Sequence, residues 1–340
     1  MILVTGGTGL VGSHLLLELV KSGDKVRAIH RKDSDLQAVK KVFSYYIPAD
    51  EIDFLFSKIE WKEANLNDIP ALTGAFTGIT TVYHCAALIS FDTSDEKALR
   101  KINIEGTANI VNLCVAFKIE KLCYISSVAA MDLSLGEKFV TENFTWNQEK
   151  YHNGYAISKH GAEIEVWRGT QEGVPAIVLN PGIILGPGFW NTGSGQLFKK
   201  IDEGLNYHFP KITGFVGVQD VVKAAVTAMG TGIENEQYIV VAENLSFKKV
   251  MRLVAESIEK PAPKKPLKPW MVFIGWIYQS ITSSLFGTKK LINREDHKSL
   301  FKHSFYSSKK LKSEFSFEYT PIKEVILETG KIFRKEQLNQ

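Results

Sequence analysis

Glycines at every third position follow the first apolar segment of the chain. Residues 1–4 read MILV, and TGGTGLVG comes directly after them, with glycines at Gly6, Gly9 and Gly12. This order of a strand, a glycine turn and a helix, which here begins near Leu10, is typical of a phosphate-binding site. Glycines let the backbone come close to the phosphate, and the helix N-terminus offers free N–H groups. The alternative interpretation is that the glycines form a turn with a purely structural role. The residues predicted to line the cradle are Gly6, Thr8, Gly9, Leu10, Val11 and Gly12.

Short β-branched segments alternate with amphipathic helical segments over the first 180 residues. The predicted strands are Ile2–Val4, Lys25–Ile29, Lys58–Lys62, Thr81–Cys85, Lys121–Ser126 and Ala176–Asn180. The predicted helices are Leu10–Lys21, Asp35–Phe43, Ile69–Phe76, Glu96–Phe117 and Tyr155–Glu172, with an inserted helix or loop over Tyr45–Phe56. This alternation predicts an α/β fold with a doubly wound parallel sheet of the Rossmann type.

The pattern changes after Pro181. Gly182–Gly195 holds five glycines and one proline, which predicts a loop over a cleft. The further predicted helices are Leu197–Glu203, Asp220–Met229, Phe247–Ile258, Trp270–Phe286 and Ile322–Phe333, with one strand at Gln237–Val241. We therefore expect a dinucleotide-binding domain over residues 1–180. Residues 181–340 would mainly form a smaller, mostly helical substrate-binding lobe. A strand or helix near residues 215–245 would return to the first domain.

The segment Trp270–Phe286 is unusually apolar, and Trp270–Tyr278 is apolar on nearly every side. It is too short for a membrane span, which needs about 20 apolar residues. Three interpretations stay open: a core helix of the second lobe, a hydrophobic wall for a bulky substrate, and a patch that contacts a membrane surface.

Composition excludes some classes of protein. A net charge of +4 over 340 residues is too slight for a nucleic-acid-binding surface. Cys85, Cys114 and Cys123 form no C-x-x-C pair, and the apolar segments around Cys85 and Cys123 are typical of buried, reduced thiols. The first strand begins at residue 1 or 2 with no basic segment before it, so we expect no signal peptide. These features predict a cytoplasmic protein without a metal site.

The second informative motif is Tyr155-Ala-Ile-Ser-Lys159. Residues four apart share one face of a helix, so Lys159 can stand beside Tyr155, where its ammonium would lower the pKa of the phenol toward working pH. The pair would then act as a general acid/base. The strand before it ends in Ser126-Ser127, and since successive side chains face opposite ways, only one of these hydroxyls can point into the crevice at the strand end.

Together these residues resemble the extended branch of the short-chain dehydrogenase/reductase superfamily. The matching motifs, in order, are the TGxxGxxG turn, YHCAA (Tyr83–Ala87), INIEGT (Ile102–Thr107), YISS (Tyr124–Ser127), YAISK (Tyr155–Lys159) and NPGIILGP (Asn180–Pro187). They cover about the first 190 residues. The rest of the chain resembles the family less closely, and the segment VGVQDVVKAA (Val216–Ala225) carries that weaker resemblance.

The resemblance implies a role for four residues. Tyr155 would exchange a proton with the substrate oxygen, and Lys159 would lower the pKa of Tyr155 and bond the nicotinamide ribose. Ser127 would hydrogen-bond the substrate carbonyl. Asn103 matches an asparagine that shapes the family's site, with a helix-packing amide as the alternative. Further residues matched to cofactor contacts are Asn65, Leu66, Ala86, Ala87, Pro181, Gly182 and Ile184; Asn65 departs from the family's usual aspartate.

The end of the second strand indicates the type of cofactor. NAD enzymes place a carboxylate there, whereas a nearby arginine suits the 2′-phosphate of NADP. Here His30 stands at the acidic position, and Arg31 and Lys32 follow it. Cationic side chains bind phosphate, so we predict NADP, with NAD as the alternative. A solvated basic turn that discriminates weakly would also fit this sequence.

Within the extended branch, VRAIHR and NPGIILGP are similar to segments of dihydroflavonol-type and 3β-hydroxysteroid-type enzymes. The resemblance implies reduction of a ketone or aldehyde of a hydrophobic small molecule, or oxidation of the alcohol. Two alternatives stay open: a nucleotide-sugar epimerase or dehydratase with tightly bound NAD, and a non-catalytic dinucleotide sensor. A homodimer is expected by analogy with the family.

Overall fold

A seven-stranded sheet forms the centre of the protein in the computed structural model, which describes residues 1–274 and 301–338. Its strands, numbered along the chain, are β1 Ile2–Thr5, β2 Val26–His30, β3 Ile59–Glu63, β4 Thr81–His84, β5 Lys121–Ile125, β6 Ala176–Pro181 and β10 Glu236–Val240. They lie in the order β10-β6-β5-β4-β1-β2-β3, and every neighbouring pair is parallel. The predicted doubly wound fold is confirmed.

Helices cover both faces of this sheet. Those described are α1 Leu10–Lys21, α2 Leu36–Phe43, α3 Ala49–Ser57, α4 Ile69–Phe76, α5 Glu96–Leu99, α6 Gly106–Ala116, α7 Gly154–Gln171, α8 Gly195–Asp202, α9 Val218–Met229, α10 Phe247–Ser257, α11 Lys309–Phe315 and α12 Ile322–Leu338. Because successive strand side chains face opposite ways, Val4 packs in the apolar cluster that includes Leu15 of α1, and Leu3 in the one that includes Ile110 of α6. Helices α1 and α9 pack together, as do α6 and α7.

Short polar side chains fix where several helices begin. Asp35, Asp68 and Ser246 accept hydrogen bonds from backbone N–H groups in the first turns of α2, α4 and α10. Asn153 does the same for α7 by accepting from the N–H of Ala156. This cap sets the start of α7, and therefore the position of Tyr155 in its first turn.

The predicted helix Glu96–Phe117 forms one helical run with a change of winding inside it. Between α5 and α6, residues Arg100–Glu105 are π-helical. Such segments are rare and occur frequently at functional sites, and this one contains Asn103.

The part of the chain after residue 181 contains more β-structure than the sequence predicted. Strands β7 Ile183–Leu185, β9 Ile212–Gly217 and β11 Glu243–Ser246 form a second sheet, and β8 Tyr207–His208 pairs with β12 Lys265–Pro266. The described part of this lobe has more residues in helices than in strands, as expected, but the expectation of a single strand is wrong, and β7 lies inside the predicted loop Gly182–Gly195. A Cβ at Gly182 would lie 2.4 Å from the Gly214 carbonyl oxygen, so glycine is needed where the chains of β7 and β9 come together.

Most of the predicted helix Trp270–Phe286 lies outside the described residues. Residues 269–274 are helical, and among them Val272 is buried while Trp270, Phe273 and Ile274 are exposed. In the part of the chain that is described, no helix has the length and apolar character needed to cross a membrane.

Candidate active site

The candidate site lies at the carboxyl edge of the main sheet. Strands β6, β5, β4 and β1 are adjacent and parallel, so the segments that follow them meet at this edge. The glycine turn follows β1, Ala86 and Ala87 follow β4, Ser127 follows β5, and Pro181 ends β6. Most of the predicted site residues are thereby brought to one edge from distant parts of the sequence.

The backbone of the glycine turn packs closely against neighbouring backbone atoms. Gly6 has a φ of 69°, and a Cβ placed on it would lie 2.6 Å from the Ala86 nitrogen. A Cβ on Gly12 would lie 2.1 Å from the Gly6 carbonyl oxygen. No described side chain caps the start of α1, and its first turn holds no acidic residue. Backbone N–H groups at an uncapped helix N-terminus beside bare glycines fit a phosphate group.

A buried hydrogen-bonded chain supports the turn from behind. His84 lies between two threonines, with its Nδ1 2.6 Å from the Thr5 hydroxyl and its Nε2 2.9 Å from the Thr107 hydroxyl. The Ala86 N–H also donates to Thr5, at 3.3 Å. Burial lowers the pKa of His84 to about 3, so the imidazole is neutral. Thr5, His84 and Thr107 were not predicted as supporting residues, although all three lie within the matching motifs.

The residues predicted to select the cofactor lie at the end of β2. Arg31 and Lys32 are exposed, and His30 packs its ring edge-on against Trp61 at 5.9 Å. A carboxylate lies beside these cations: Asp33 is 3.5 Å from the Arg31 guanidinium, and both groups are largely exposed. This ion pair is weak because solvent screens it.

Asn65 and Leu66 lie at the same edge, directly after β3. Asn65 is exposed and Leu66 is buried. The Asn109 amide donates to the Leu66 carbonyl at 2.8 Å, and a Cβ on Gly106 would collide with the Leu66 side chain. Leu66 is thus fixed against α6.

Tyr155 and Ser127 are brought together as predicted. Tyr155 lies in the first turn of α7 and is 9% exposed, and the Ser127 side chain is close enough to act on its phenol. Burial raises the pKa of Tyr155 to about 12, and the Ser127 hydroxyl acts in the opposite direction. The tyrosine is therefore protonated at neutral pH.

Lys159 lies one helical turn beyond Tyr155, and its ammonium is directed at the sheet. Its Nζ donates to the Ile125 carbonyl at 2.8 Å and lies 4.4 Å from the centre of the Tyr124 ring. Burial lowers its own pKa to about 7. The expected lowering of the Tyr155 pKa by Lys159 is therefore not what this structure shows: burial dominates, and Ser127 supplies the opposing effect.

The two adjacent serines point in opposite directions. Ser126 is buried, and its hydroxyl donates to the carboxylate of Glu163 on α7. Ser127 is half-buried, accepts from the Ala129 N–H at 3.1 Å and faces Tyr155. Ser127 is therefore the one available to a substrate. Glu163 was not predicted, although its spacing of four residues from Lys159 is visible in the sequence.

Asn103 acts on the loop that follows β4. Its side chain accepts from the Leu88 N–H at 2.7 Å and donates to the Leu88 carbonyl at 2.9 Å. It also donates to the Ser158 hydroxyl at 2.9 Å. Asn103 thus ties this loop to α7 and is more than a helix-packing amide. Phe91, further along the loop, places its ring 5.7 Å from that of Tyr155.

The last predicted contacts lie where β6 meets the second sheet. Pro181 is buried and pairs in register with Val240, and the Gly182 N–H donates to the Val240 carbonyl at 3.1 Å. Ile184 pairs with Val216. These residues are held by strands on both sides and lie directly after the strand next to Ser127.

Neither a disulfide nor a metal site occurs among the described residues. Cys114 and Cys123 are buried and Cys85 is half-buried, and all three thiols are free. No group of three or more His, Cys, Asp or Glu side chains in residues 1–274 and 301–338 is placed to hold a metal ion.

Comparison with known proteins identifies the family. The model of the NAD dependent epimerase/dehydratase family matches residues 2–241. The chain belongs to this family. A putative dihydroflavonol 4-reductase from a Synechocystis species is 26% identical, over 97% of this chain and 94% of its own. A cinnamoyl-CoA reductase from Medicago truncatula is 24% identical, over 99% of this chain and 96% of its own. The resemblance found in the sequence is confirmed.

Solved structures show the same fold. The crystal structure of gox2253 has a TM-score of 0.81 and 27% identity, covering 99% of this chain and 98% of that chain. The UDP-glucose 4-epimerase of Thermotoga maritima, solved with UDP-glucose, has a TM-score of 0.75 and 19% identity, covering 99% of both chains. At that identity the second likeness concerns the fold alone.

Proposed function

We propose that the protein reduces the carbonyl group of an apolar ketone or aldehyde with a nicotinamide cofactor, or oxidises the corresponding alcohol. The observation that supports the proposal most is that Tyr155 and Ser127 face each other at the sheet edge that also bears the glycine cradle. Two neighbouring hydroxyls suit a carbonyl oxygen, because one transfers a proton and the other polarises the C=O bond. The family match and the reductase names of the relatives support this choice.

The cradle fits a dinucleotide. The bare glycines and the uncapped N-terminus of α1 suit its phosphates, and Leu66 would form an apolar contact for its adenine. Lys159 and the segment Pro181–Ile184 would hold its nicotinamide end. When bound, the cofactor supplies or accepts a hydride. The remaining residues proposed to contact it are Thr8, Val11, His30, Arg31, Lys32, Asn65, Ala86, Ala87 and Tyr155.

In the reducing direction, Tyr155 donates its phenolic proton to the substrate oxygen. Because burial raises the pKa of Tyr155 to about 12, the proton is present throughout the physiological pH range. Ser127 donates a hydrogen bond to the same oxygen and so stabilises the charge that develops there. Lys159, one turn beyond Tyr155, would bond the nicotinamide ribose.

An exposed aromatic ring lies beside the candidate acid. Phe91 is 57% exposed and lies edge-on to the Tyr155 ring. Ile89, on the same loop, is exposed as well. An exposed apolar ring against a candidate acid supports an apolar substrate.

We infer NADP as the preferred cofactor from Arg31 and Lys32. A phosphate held by an arginine contributes about 1.5–3 kcal/mol, or roughly a 10- to 100-fold difference in affinity. Arg31→Ala should therefore raise the KM for NADPH at least tenfold and leave the KM for NADH unchanged. Asp33→Asn, which removes the competing carboxylate, should lower the KM for NADPH. An unchanged ratio of the two KM values in Arg31→Ala excludes the assignment.

A nucleotide-sugar epimerase or dehydratase is the second candidate. It is favoured by the family match and by the fold shared with an epimerase that was solved with UDP-glucose. Protein purified with tightly bound NAD, and a thermal shift with UDP- or GDP-sugars, would support it. A dinucleotide sensor without catalysis is disfavoured because Tyr155, Lys159 and Ser127 are all present.

The test of the proposed function is a screen for NADPH oxidation over aldehydes, ketones, steroids and flavonoids, with nucleotide sugars as the opposing set. Turnover of an apolar carbonyl compound supports the proposal, whereas conversion of a nucleotide sugar alone would replace it with the second candidate. Binding of NADPH without turnover of any compound favours the sensor. The homodimer and the cytoplasmic location stay predictions from the sequence.

A further inference from the structure

A buried carboxylate that the proposed chemistry does not use lies next to Lys159. Glu163 follows Lys159 by four residues on α7, so both side chains lie on the same face of the helix. Glu163 is 2% exposed. A carboxylate is costly to bury unless hydrogen bonds and an opposite charge compensate for the lost water.

Three adjacent strands supply the hydrogen bonds. Ser126, directly after β5, and Asn180 in β6 donate to one oxygen of Glu163, the latter at 2.6 Å. Gln237 in β10 donates to the other oxygen at 3.2 Å. The network closes on itself, since Gln237 also donates to the Asn180 side-chain oxygen at 2.8 Å. One carboxylate thus joins α7 to three strands of the sheet.

This network extends to the proposed catalytic groups. The Asn180 amide that donates to Glu163 also donates to the Ser127 carbonyl at 3.0 Å. Asn180 is followed directly by Pro181, which is expected to contact the cofactor. Losing the carboxylate would therefore loosen the Asn180 amide, which holds both the backbone of Ser127 after β5 and the end of β6.

The charge of Glu163 acts on Lys159. Burial lowers the pKa of Lys159 to about 7, and the carboxylate opposes this effect. The other titratable groups that interact with the pair, His84, Cys85 and Tyr124, are neutral at pH 7, because burial depresses the pKa of His84 and raises the pKa of Cys85 and Tyr124. Glu163 is therefore the counter-charge of Lys159 within this buried group.

We propose that Glu163 is a positioning residue of the active site: its carboxylate holds the ends of β5 and β6 and supplies the negative charge opposite the buried Lys159 ammonium. Its kinetic consequences rest on the proposed function, and its effect on the folded protein does not. Glu163 touches neither of the hydroxyls that face the substrate, so it acts through Ser127 and Lys159.

The kinetic test compares Glu163→Gln with Glu165→Gln, the same change two residues along α7, where Glu165 pairs with Arg168 near the surface. Glu163→Gln should lower kcat about tenfold, in line with the cost of small misplacements in active sites. Without the negative charge Lys159 loses its proton more readily, so the alkaline limb of the kcat profile should move to lower pH. Glu163→Asp should restore the alkaline limb to its wild-type pH, and Glu165→Gln should match the wild type.

If Glu163 had only a structural role, the kcat–pH profiles of Glu163→Gln and the wild type would be parallel.

A second measurement needs no turnover. Burial raises the pKa of Glu163 to about 7 in the folded protein, above its value of 4.5 when unfolded. Its stabilising contribution is thus complete below pH 4.5 and is lost as the pH rises through 7. The free energy of unfolding of the wild type should therefore fall relative to that of Glu163→Gln between pH 4.5 and 7.

The two measurements distinguish a failure of the proposed function from a failure of the inference about Glu163. If the wild type reduces no carbonyl compound, the proposed function fails, and the unfolding curves together with the Kd for NADPH decide on Glu163. The inference predicts that this Kd rises several-fold in Glu163→Gln and stays unchanged in Glu165→Gln. Parallel unfolding curves and an unchanged Kd would overturn it. If Glu163→Gln does not fold, Glu163→Asp is measured in the same way, with a smaller shift in the same direction expected.

Discussion

On one side of Tyr155 lie buried polar groups, and on the other lie exposed apolar side chains. Towards the sheet, Lys159 is 1% exposed and Ser126 and Glu163 are enclosed in the network described above. Towards solvent, Phe91 and Ile89 are 57% and 58% exposed. The same tyrosine belongs to both regions.

The two regions have different roles: the inner, polar region carries out the reaction, and the outer, apolar region selects the substrate. Hydrogen bonds are directional, and a buried polar group left without its partner costs about 1–3 kcal/mol, so the inner region tolerates little change. Apolar contact is non-directional and scales with area, so the outer region can accept substrates of several shapes. We therefore expect substitutions in the inner region to lower kcat, and substitutions in the outer region to change KM for one substrate relative to another.

The largest effect should come from Tyr155→Phe, which removes the proposed proton donor and keeps the ring. Loss of general acid catalysis should lower kcat for carbonyl reduction about 10³-fold. The Kd for NADPH, measured by fluorescence titration, should stay within about twofold, since the hydroxyl is not expected to hold the dinucleotide strongly. Tyr207→Phe, the same change at a half-exposed site on β8, is the control. A Tyr155→Phe variant with full turnover would exclude the mechanism.

A smaller loss is expected from Ser127→Ala. Removing one donor to the developing oxyanion should lower kcat about 100-fold. The Ser127 hydroxyl also lowers the pKa of Tyr155, so its loss should raise that pKa further. In alcohol oxidation Tyr155 must accept a proton, so the pH of half-maximal rate should move upward. Ser313→Ala on α11 serves as the control. A pH profile unchanged in position would show that Ser127 does not act on Tyr155.

The smallest effect should come from the outer region, in Phe91→Ala. Loss of one aromatic contact should raise the KM for a bulky apolar substrate about tenfold. The KM for a small aldehyde, kcat and the Kd for NADPH should change little. Phe54→Ala, at an exposed site on α3, controls for loss of a surface ring. If kcat and KM change equally for all substrates, the two regions are not separate.

The inner region was largely predictable from the sequence, and its supporting residues were not. The glycine turn, Ser127, Tyr155 and Lys159 fall in short local patterns whose geometry follows from the strand and helix that carry them. Glu163 depends on Asn180 and Gln237, which are distant in sequence, and local patterns do not indicate hydrogen bonds across strands.

The second sheet was missed for a similar reason. Strand β7 has only three residues, and it is stabilised by pairing with β9, about thirty residues further along the chain. A segment this short with glycines on both sides is indistinguishable from a loop until its partner is known. Phe91 lies in an irregular loop, where no local sequence pattern indicates a contact with Tyr155.

In the proposed function, the hydroxyls of Tyr155 and Ser127 serve net reduction of an apolar carbonyl compound. This is tested by following NADPH consumption and alcohol formation together, in one reaction with the best substrate from the screen. The proposed function predicts one alcohol formed for each NADPH consumed, with both rates reduced together in Tyr155→Phe. Conversion of a nucleotide sugar without any net change in NADPH, and no alcohol from any carbonyl compound, would contradict it.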